Sequence, residues 1–116
     1  MSDVYLNGEF IAAEKASISV FDQGFLYGDG IFESFRSVGD HLYQFSHHYR
    51  RLVQSAEALN YLIPYTQAEL EEVLIELRRR NNLRDVYYRI TITRGRGEIG
   101  FQRSINNDLT CLIIGR

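Results

Sequence analysis

The stretch Val20-Phe21-Asp22-Gln23-Gly24-Phe25-Leu26-Tyr27-Gly28-Asp29-Gly30-Ile31-Phe32-Glu33 changes from loop-like to strand-like along its length. Residues 22–30 hold three glycines and two aspartates, a composition typical of an irregular, closely packed loop. From Ile31 to Val38 the residues suit an extended strand, Gly39-Asp40 suits a turn, and His41 to Phe45 suits a returning strand. The stretch therefore predicts a loop that leads into a β-hairpin.

Further strands are predicted at both ends of the chain. Asn7-Gly8 separates Val4-Tyr5-Leu6 from Glu9-Phe10-Ile11, and this dipeptide tolerates the positive φ that a two-residue hairpin turn requires. Val86 to Thr93 alternates between an apolar face and a polar one, which is typical of a strand with one face in the core. Leu109 to Ile114 is apolar on both faces and predicts a central buried strand.

Two amphipathic helices are predicted between the second hairpin and the strand at Val86. Ser46 is a candidate N-cap for the first helix, and Thr66 with Glu69 has the spacing of a capping box for the second. The apolar stripes after these starts are Tyr49, Leu52, Val53, Ala56 and Leu59, and then Leu70, Val73, Leu74 and Leu77. We expect Arg78 to Arg80 to be a solvated helix end that suits the helix dipole, with Glu76 placed to pair with Arg80.

These elements predict an α+β fold, with a mainly antiparallel sheet and two helices packed on one side. A chain of 116 residues, 45% of them hydrophobic, fits a single domain, here 1–116. The only cysteine, Cys111, lies in an apolar run and is expected to be a small buried hydrophobe.

Composition and charge exclude several classes of partner. The net charge of −2, with mixed signs, indicates no nucleic acid and no anionic membrane as partner. No signal peptide and no membrane span is evident, so we expect a cytoplasmic protein. Histidine and cysteine are scarce, so the sequence predicts no metal site. It also lacks the elbow motif around a serine that would indicate a nucleophile triad.

The segment Gly95-Arg96-Gly97-Glu98-Ile99-Gly100 matches the letters of the dinucleotide-binding fingerprint. That fingerprint requires a helix immediately after it and an acidic residue about 20 positions further on. Here Phe101 to Asn107 has the character of a loop, and the sequence given ends at Arg116. The context therefore argues against a nucleotide site.

Two arginines are ambiguous from the residues alone. Arg89 alternates with Tyr87 on the polar face of its strand, where it requires an anionic ligand or a carboxylate partner, for which Glu33 is a candidate. Arg51 lies beside His48 and could bind phosphate or remain in water. The residue pattern leaves both alternatives open.

A family resemblance appears in several ordered motifs. The segment from Val20 to Glu33 closely resembles the N-terminal signature of the class IV, or fold-type IV, aminotransferases, which depend on pyridoxal phosphate. His48-Tyr49-Arg50-Arg51-Leu52 is similar to the family's His-x-x-Arg-Leu motif. Ile63-Pro64-Tyr65 and Thr93-Arg94-Gly95 follow in the expected order. The family includes branched-chain and D-amino acid aminotransferases and aminodeoxychorismate lyase.

The resemblance implies roles for particular residues. Arg51 would hold the phosphate of pyridoxal 5'-phosphate, and the substrate pocket would be lined by Tyr27, Phe32, Tyr87, Arg89 and Phe101. Tyr87 and Arg89 would handle the carboxylate end of the substrate. Tyr27 and the loop from Gly95 to Phe101 would serve the site of a neighbouring subunit. The implied partners are therefore an amino acid, a 2-oxo acid and a second copy of the chain in a homodimer.

The resemblance also implies that an essential residue is missing. In this family the cofactor is bound covalently by a lysine, and the only lysine here, Lys15, matches no family position for it. The chain is thus expected to be the N-terminal small domain of an aminotransferase, inactive alone, with the C-terminal domain that holds the cofactor and the lysine absent from it. A natural, non-catalytic binding module is the alternative.

The implied substrates remain open among three classes. Tyr27 and the Tyr87-x-Arg89 pair favour branched-chain L-amino acids with 2-oxoglutarate. Ser34, where branched-chain enzymes usually have glycine, and Arg94-Gly95-Arg96-Gly97 are similar to aminodeoxychorismate lyase, which forms 4-aminobenzoate. D-amino acid transamination ranks third, because Phe32 replaces the tyrosine expected there.

Overall fold

A computed structural model describes residues 2–97 and 108–116 of the chain. Within these residues, six strands form one sheet in which every pairing is antiparallel. The strands are β1 (Asp3–Leu6), β2 (Glu9–Ala12), β3 (Gly30–Val38), β4 (His41–Leu42), β5 (Asp85–Thr93) and β6 (Thr110–Gly115), in the spatial order β2-β1-β6-β5-β3-β4. The three α-helices of the same residues are α1 (Gln23–Tyr27), α2 (Phe45–Ala58) and α3 (Gln67–Arg80). The α+β expectation is confirmed.

The alternating pattern of β5 decides which face of the sheet the helices cover. Tyr88, Ile90 and Ile92 are fully buried, whereas Tyr87 and Arg89 are exposed. The Tyr88 hydroxyl donates to the carbonyl oxygen of Leu74 in α3 at 2.7 Å, which places α3 on the buried side. We call the opposite side, which neither α2 nor α3 covers, the free face of the sheet.

Several local predictions are confirmed. Asn7 and Gly8 have φ of 51° and 90° at the first hairpin turn, and the Asn7 side chain accepts from the Cys111 amide at 2.8 Å. The capping box of Thr66 and Glu69 is present at the start of α3. Burial raises the pKa of the Cys111 thiol to about 12, in agreement with an unreactive core residue.

Other boundaries differ from prediction because tertiary contacts override local preference. The supposed irregular loop contains α1, whose N-cap Asp22 accepts from the Gly24 amide at 2.8 Å. Helix α2 begins at Phe45 after Gln44, not after Ser46, and β4 is only two residues long. The reason is that Phe45 already packs against Phe35 of the core, with ring centroids 5.0 Å apart.

The arginine run at the end of α3 is less solvated than predicted. Arg80 does lie 3.9 Å from Glu76, as expected. The Arg78 guanidinium, however, is 17% exposed, contacts Asp40 and donates to the Leu83 carbonyl at 3.1 Å. Arg78 therefore joins the β3–β4 turn to the end of the helix.

Candidate substrate face and phosphate-binding arginine

Three of the five residues predicted to bind substrate lie together on the free face. The register pairs Phe32 with Thr91 and Ser34 with Arg89, so Phe32 and Arg89 are diagonal neighbours. The Arg89 guanidinium carbon lies 4.0 Å from the centre of the Phe32 ring, close enough for a cation–π contact. Tyr87 follows Arg89 on the same face, and Phe32 and Tyr87 are about half exposed. The strand register thus assembles an aromatic surface around a guanidinium.

Tyr27 lies in α1, next to the start of β3, and is 48% exposed. Phe101, the fifth predicted residue, lies outside the described residues. The part of the predicted pocket that the Gly95–Phe101 loop would form is described only from Gly95 to Gly97.

Arg89 does not pair with Glu33, because the two side chains lie on opposite faces of the sheet. Glu33 is buried on the helix side, with 7% of its surface exposed. Its carboxylate contacts the Nδ1 atom of His48 at 2.8 Å and the Nε atom of Arg51 at 3.5 Å. The suggested internal partner of Arg89 is therefore wrong, and a ligand becomes the stronger interpretation of this arginine.

The same contacts define the surroundings of Arg51. His48 and Arg51 are three residues apart in α2 and so lie on one face of the helix above β3. The Arg51 side chain is 56% exposed, whereas that of Glu33 is only 8% exposed. The buried carboxylate thus anchors an otherwise exposed guanidinium through Nε. Sequence reasoning considered Glu33 as a partner for Arg89, and its contact with Arg51 was not foreseen.

A second buried ion pair fixes α1 against the sheet. The Arg94 Nε atom lies 2.6 Å from an Asp29 carboxylate oxygen, with both side chains 9% exposed. Arg94 also donates to the Leu59 carbonyl at 2.6 Å, and the Tyr61 hydroxyl donates to the Asp29 carbonyl at 2.8 Å. These contacts hold the segment between Tyr27 and β3 to the end of β5 and to the C-terminal end of α2.

Asp22 adds a further attachment for α1. Its carboxylate is 1% exposed and accepts from the Thr110 hydroxyl at 2.6 Å, at the start of β6. The backbone of Gln23 donates to the Gly95 carbonyl at 2.8 Å, and the Gly97 amide donates to the Phe21 carbonyl at 3.0 Å. The sequence indicated a close-packed loop here. It could not show which groups Asp22 and Asp29 bind, because their partners come from distant parts of the chain.

The only lysine of the sequence is far from Arg51. Lys15 ends a short 3₁₀ helix, Ala13–Lys15, directly after β2. Strand β2 is one edge of the sheet, and β3 beneath Arg51 is the fifth strand from that edge. Four strand spacings correspond to about 19 Å. Lys15 therefore does not reach the groups around Arg51.

Two negative findings apply to the described residues. In residues 2–97 and 108–116, no helix combines the length and apolar character that crossing a bilayer requires. The same residues contain no cluster of three or more histidine, cysteine, aspartate or glutamate side chains suited to a metal ion.

The model of the amino-transferase class IV family matches residues 30–114. This match includes β3, α2 and β5, which hold Phe32, Arg51, Tyr87 and Arg89. The chain belongs to the class IV aminotransferase family. The resemblance inferred from the motifs is confirmed.

Individual relatives agree with the family assignment. The chain is 45% identical over 97 residues to a provisionally named branched-chain-amino-acid aminotransferase of Methanocaldococcus jannaschii, covering 84% of this chain and 34% of that protein. It is 37% identical over 95 residues to a D-alanine aminotransferase of Staphylococcus haemolyticus, covering 82% and 34%. The chain thus spans about a third of the length of these curated relatives.

Solved structures show the same fold. The branched-chain amino acid aminotransferase from Escherichia coli superimposes with a TM-score of 0.90 at 25% identity. The match covers 99% of this class IV chain and 40% of that chain. The antiparallel sheet with its helices is therefore the small N-terminal domain fold of the fold-type IV aminotransferases.

Proposed function

We propose that this chain is the substrate-facing N-terminal domain of a pyridoxal-phosphate-dependent aminotransferase that exchanges an amino group between an amino acid and a 2-oxo acid. The observation that carries the proposal is the free face of the sheet, where Phe32, Tyr87 and Arg89 lie together and exposed. Apolar rings beside a guanidinium suit a substrate with an apolar part and a carboxylate. In the proposed homodimer, Tyr27 and Phe101 of one copy would complete this pocket in the neighbouring copy.

Arg51 fits the role of phosphate ligand. Its guanidinium is more than half exposed, and its contact with Glu33 uses Nε rather than the terminal nitrogens. A guanidinium fork binds phosphate through two parallel hydrogen bonds, and an anchored side chain loses less entropy when it does so. Bound pyridoxal phosphate would supply the electron-withdrawing ring that transamination requires.

The residues present do not supply the covalent attachment of the cofactor. Lys15 is the only lysine and lies at the far edge of the sheet. We propose that the lysine comes from a C-terminal domain that covers the free face in the complete polypeptide. The chain alone would then be inactive. We further propose that the complete protein is cytoplasmic and acts as a homodimer.

For the substrate we propose branched-chain L-amino acids with 2-oxoglutarate. A similar protein at 45% identity and a similar structure at 25% identity are both named as branched-chain aminotransferases, which supports this choice. D-amino acid transamination is the second candidate, since relatives at 37% identity are named D-alanine aminotransferases. Aminodeoxychorismate lyase activity is a further candidate, favoured by Ser34 and by Arg94-Gly95-Arg96-Gly97.

The test uses the complete polypeptide with added pyridoxal phosphate. We expect a visible absorption band of bound cofactor that changes when L-leucine is added and is restored by 2-oxoglutarate. A response of the band to D-alanine but not to L-leucine would favour D-amino acids as the substrates. The same band with no response to either amino acid would favour the lyase. The absence of any band would contradict the assignment as an enzyme and leave a binding module.

The role of Arg51 gives a more specific prediction. Replacing Arg51 by alanine in the complete polypeptide should weaken pyridoxal phosphate binding about ten- to hundredfold, because hydrogen bonds between charged groups are lost. Arg51→Lys should recover part of the affinity, since the charge remains but the planar fork does not. The matched control is Arg50→Ala, the exposed neighbour on α2. Equal losses in the Arg50 and Arg51 variants, measured by fluorescence titration, would contradict the assignment.

A further inference from the structure

Glu33 occupies a core-facing position of β3 at which a charged side chain is costly. In the alternation of this strand, Glu33, Phe35 and Ser37 face the helices, and all three are buried. The register sets Glu33 opposite Ile90, which is fully buried. An apolar side chain would stabilise the fold here, whereas a buried carboxylate costs free energy unless charged or hydrogen-bonding groups contact it. Packing alone therefore does not explain Glu33.

His48 of α2 engages one oxygen of this carboxylate. Its Nδ1 atom lies 2.8 Å from Oε1 of Glu33. Because a carboxylate only accepts hydrogen bonds, Nδ1 must carry the hydrogen in this contact. The imidazole also packs against Phe35, with ring centroids 5.3 Å apart. His48 thus fixes the carboxylate through Oε1 and leaves Oε2 for a second partner.

The second partner is Arg51, whose Nε atom lies 3.5 Å from Oε2 of Glu33. The Arg51 side chain is 56% exposed, and within residues 2–97 and 108–116 it forms no other ion pair. An exposed arginine samples many rotamers, and this freedom is lost when the side chain binds an anion. A contact at Nε removes part of the freedom beforehand and leaves the terminal nitrogens available to a ligand.

We propose that Glu33 is a positioning residue for phosphate binding, and that His48 holds Glu33 in place for this task. The inference rests on the proposed function, in which Arg51 binds the phosphate of pyridoxal phosphate. Glu33 acts only through Arg51. Its carboxylate restricts the guanidinium group, and the terminal nitrogens of that group donate to the phosphate.

The charge of Glu33 by itself predicts the opposite effect. A carboxylate repels a phosphate, so removing its charge would strengthen phosphate binding if this repulsion were the larger effect. The Glu33 side chain is only 8% exposed, however, and His48 and Arg51 each contact one of its oxygens. These partners screen the carboxylate from an anion. The loss of positioning should therefore exceed the relief of repulsion, and Glu33→Gln should weaken phosphate binding.

The first experiment compares pyridoxal phosphate with pyridoxal, which lacks the phosphate, in fluorescence titrations of the complete polypeptide. Glu33→Gln should weaken binding of pyridoxal phosphate about three- to tenfold and change binding of pyridoxal less than about twofold. Glu33→Asp should act in the same direction, because its shorter side chain keeps the charge but loses the reach. The matched control is Asp22→Asn, which removes another buried carboxylate and should leave the ratio of the two affinities unchanged. Equal weakening for both ligands, or tighter binding of pyridoxal phosphate by Glu33→Gln, would overturn the proposal.

Two substitutions of His48 test its part in the arrangement. The side-chain amide of asparagine is as many bonds from the backbone as Nδ1 of histidine, so His48→Asn can still donate to Glu33. This variant should keep the affinity for pyridoxal phosphate within about twofold, whereas His48→Ala should weaken it about threefold or more. Urea denaturation of both variants shows whether they remain folded. An unchanged affinity in His48→Ala would overturn the role of His48.

A double variant distinguishes positioning from a general effect on the fold. In the Arg51→Ala background there is no guanidinium to position, so Glu33→Gln should cause no further loss of affinity for pyridoxal phosphate. A further loss as large as that of Glu33→Gln alone would overturn the proposal. If the unmodified polypeptide did not bind pyridoxal phosphate, the proposed function would fail and this inference with it. Normal binding with unaltered phosphate selectivity in the Glu33 variants would overturn this inference alone.

Discussion

Arg94 and Arg51 are both arginines that contact a carboxylate, but their exposure gives them different roles. The Arg94–Asp29 pair is 9% exposed on both sides, and Arg94 also donates to a backbone carbonyl. Arg51 is 56% exposed and its partner Glu33 is buried. The first guanidinium is occupied within the protein, whereas the second remains accessible to an anion. The sequence presents both only as arginines, because burial depends on which residues pack over them.

At the same scale, the Asp40–Arg78 pair predicts a pH dependence of stability. The hydrogen bond from Arg78 lowers the pKa of Asp40 below its ordinary value. A carboxyl with a lowered folded-state pKa stabilises the protein above its unfolded pKa of about 3.9, and this contribution is lost as pH falls through the folded-state pKa. Asp40→Asn should therefore lower the free energy of unfolding at pH 7, and the difference from the original protein should shrink below about pH 4.

Urea denaturation at a series of pH values measures this difference. Because Asp40 is exposed, salt should weaken the pair, so the difference at pH 7 should also decrease in 1 M NaCl. A difference that stays constant across pH and salt would show that the substitution acts through another contact.

At the scale of elements, α1 illustrates a short helix that depends on its attachments. Five residues are too few for a stable helix in isolation. Its stability comes from Asp22, which binds Thr110 of β6, and from backbone contacts with Gly95 and Gly97. The start of α1, the end of β5 and the start of β6 therefore form one unit that positions Tyr27 beside β3.

Gly95 provides a test of this unit. Its φ is +85°, and a Cβ atom there would collide with the carbonyl oxygen of Asp108. Gly39 also has a positive φ, of +57°, but has open space around it. Gly39→Ala should cost about 1 kcal/mol of unfolding free energy through backbone strain alone. Gly95→Ala should cost about 2 kcal/mol more, because the backbone of the next strand must move.

Urea denaturation measures the loss of unfolding free energy in both variants. Subtracting the loss in Gly39→Ala from the loss in Gly95→Ala removes the cost of positive φ that the two positions share. Equal losses of stability in Gly39→Ala and Gly95→Ala would show that the contact between the ends of β5 and β6 is not tight in solution.

At the scale of the whole molecule, the chain exposes a large apolar surface. Within residues 18–27 the exposed large side chains are Ile18, Val20, Phe21, Phe25 and Tyr27. Monomeric proteins rarely expose so many neighbouring apolar groups. Together with the free face of the sheet, this surface is where we expect the proposed second domain and a second copy to bind.

The proposed homodimer can be tested on this surface. Phe25 is 75% exposed in α1, and Leu62, which is 82% exposed between α2 and α3, serves as a matched control. Phe25→Asn should shift the complete polypeptide towards monomer in sedimentation, by about tenfold or more in dissociation constant, since a large apolar side chain would leave the interface. Leu62→Asn should not. A monomeric original protein, or equal shifts in both variants, would contradict a dimer through residues 18–27.

The sequence alone predicted the elements whose cause is local. The Asn7-Gly8 turn, the capping box of Thr66 and Glu69 and the two faces of β5 follow from backbone preferences and from the strand period of two residues. Together with the ordered family motifs, these patterns determined the fold class and the family. The motifs therefore identify Arg51, Phe32, Tyr87 and Arg89 without the tertiary structure, and the roles of these residues are proposals.

Only the tertiary structure decided which of these groups meet. Three arrangements depend on strand register and helix packing. Glu33 anchors Arg51 rather than Arg89, and Asp29 binds Arg94. Arg36 and Arg116 lie on either side of Tyr87. These contacts join residues far apart in the sequence. Their register is selected by burial of the whole core at once, because a shift of one residue would turn every side chain of a strand to the other face.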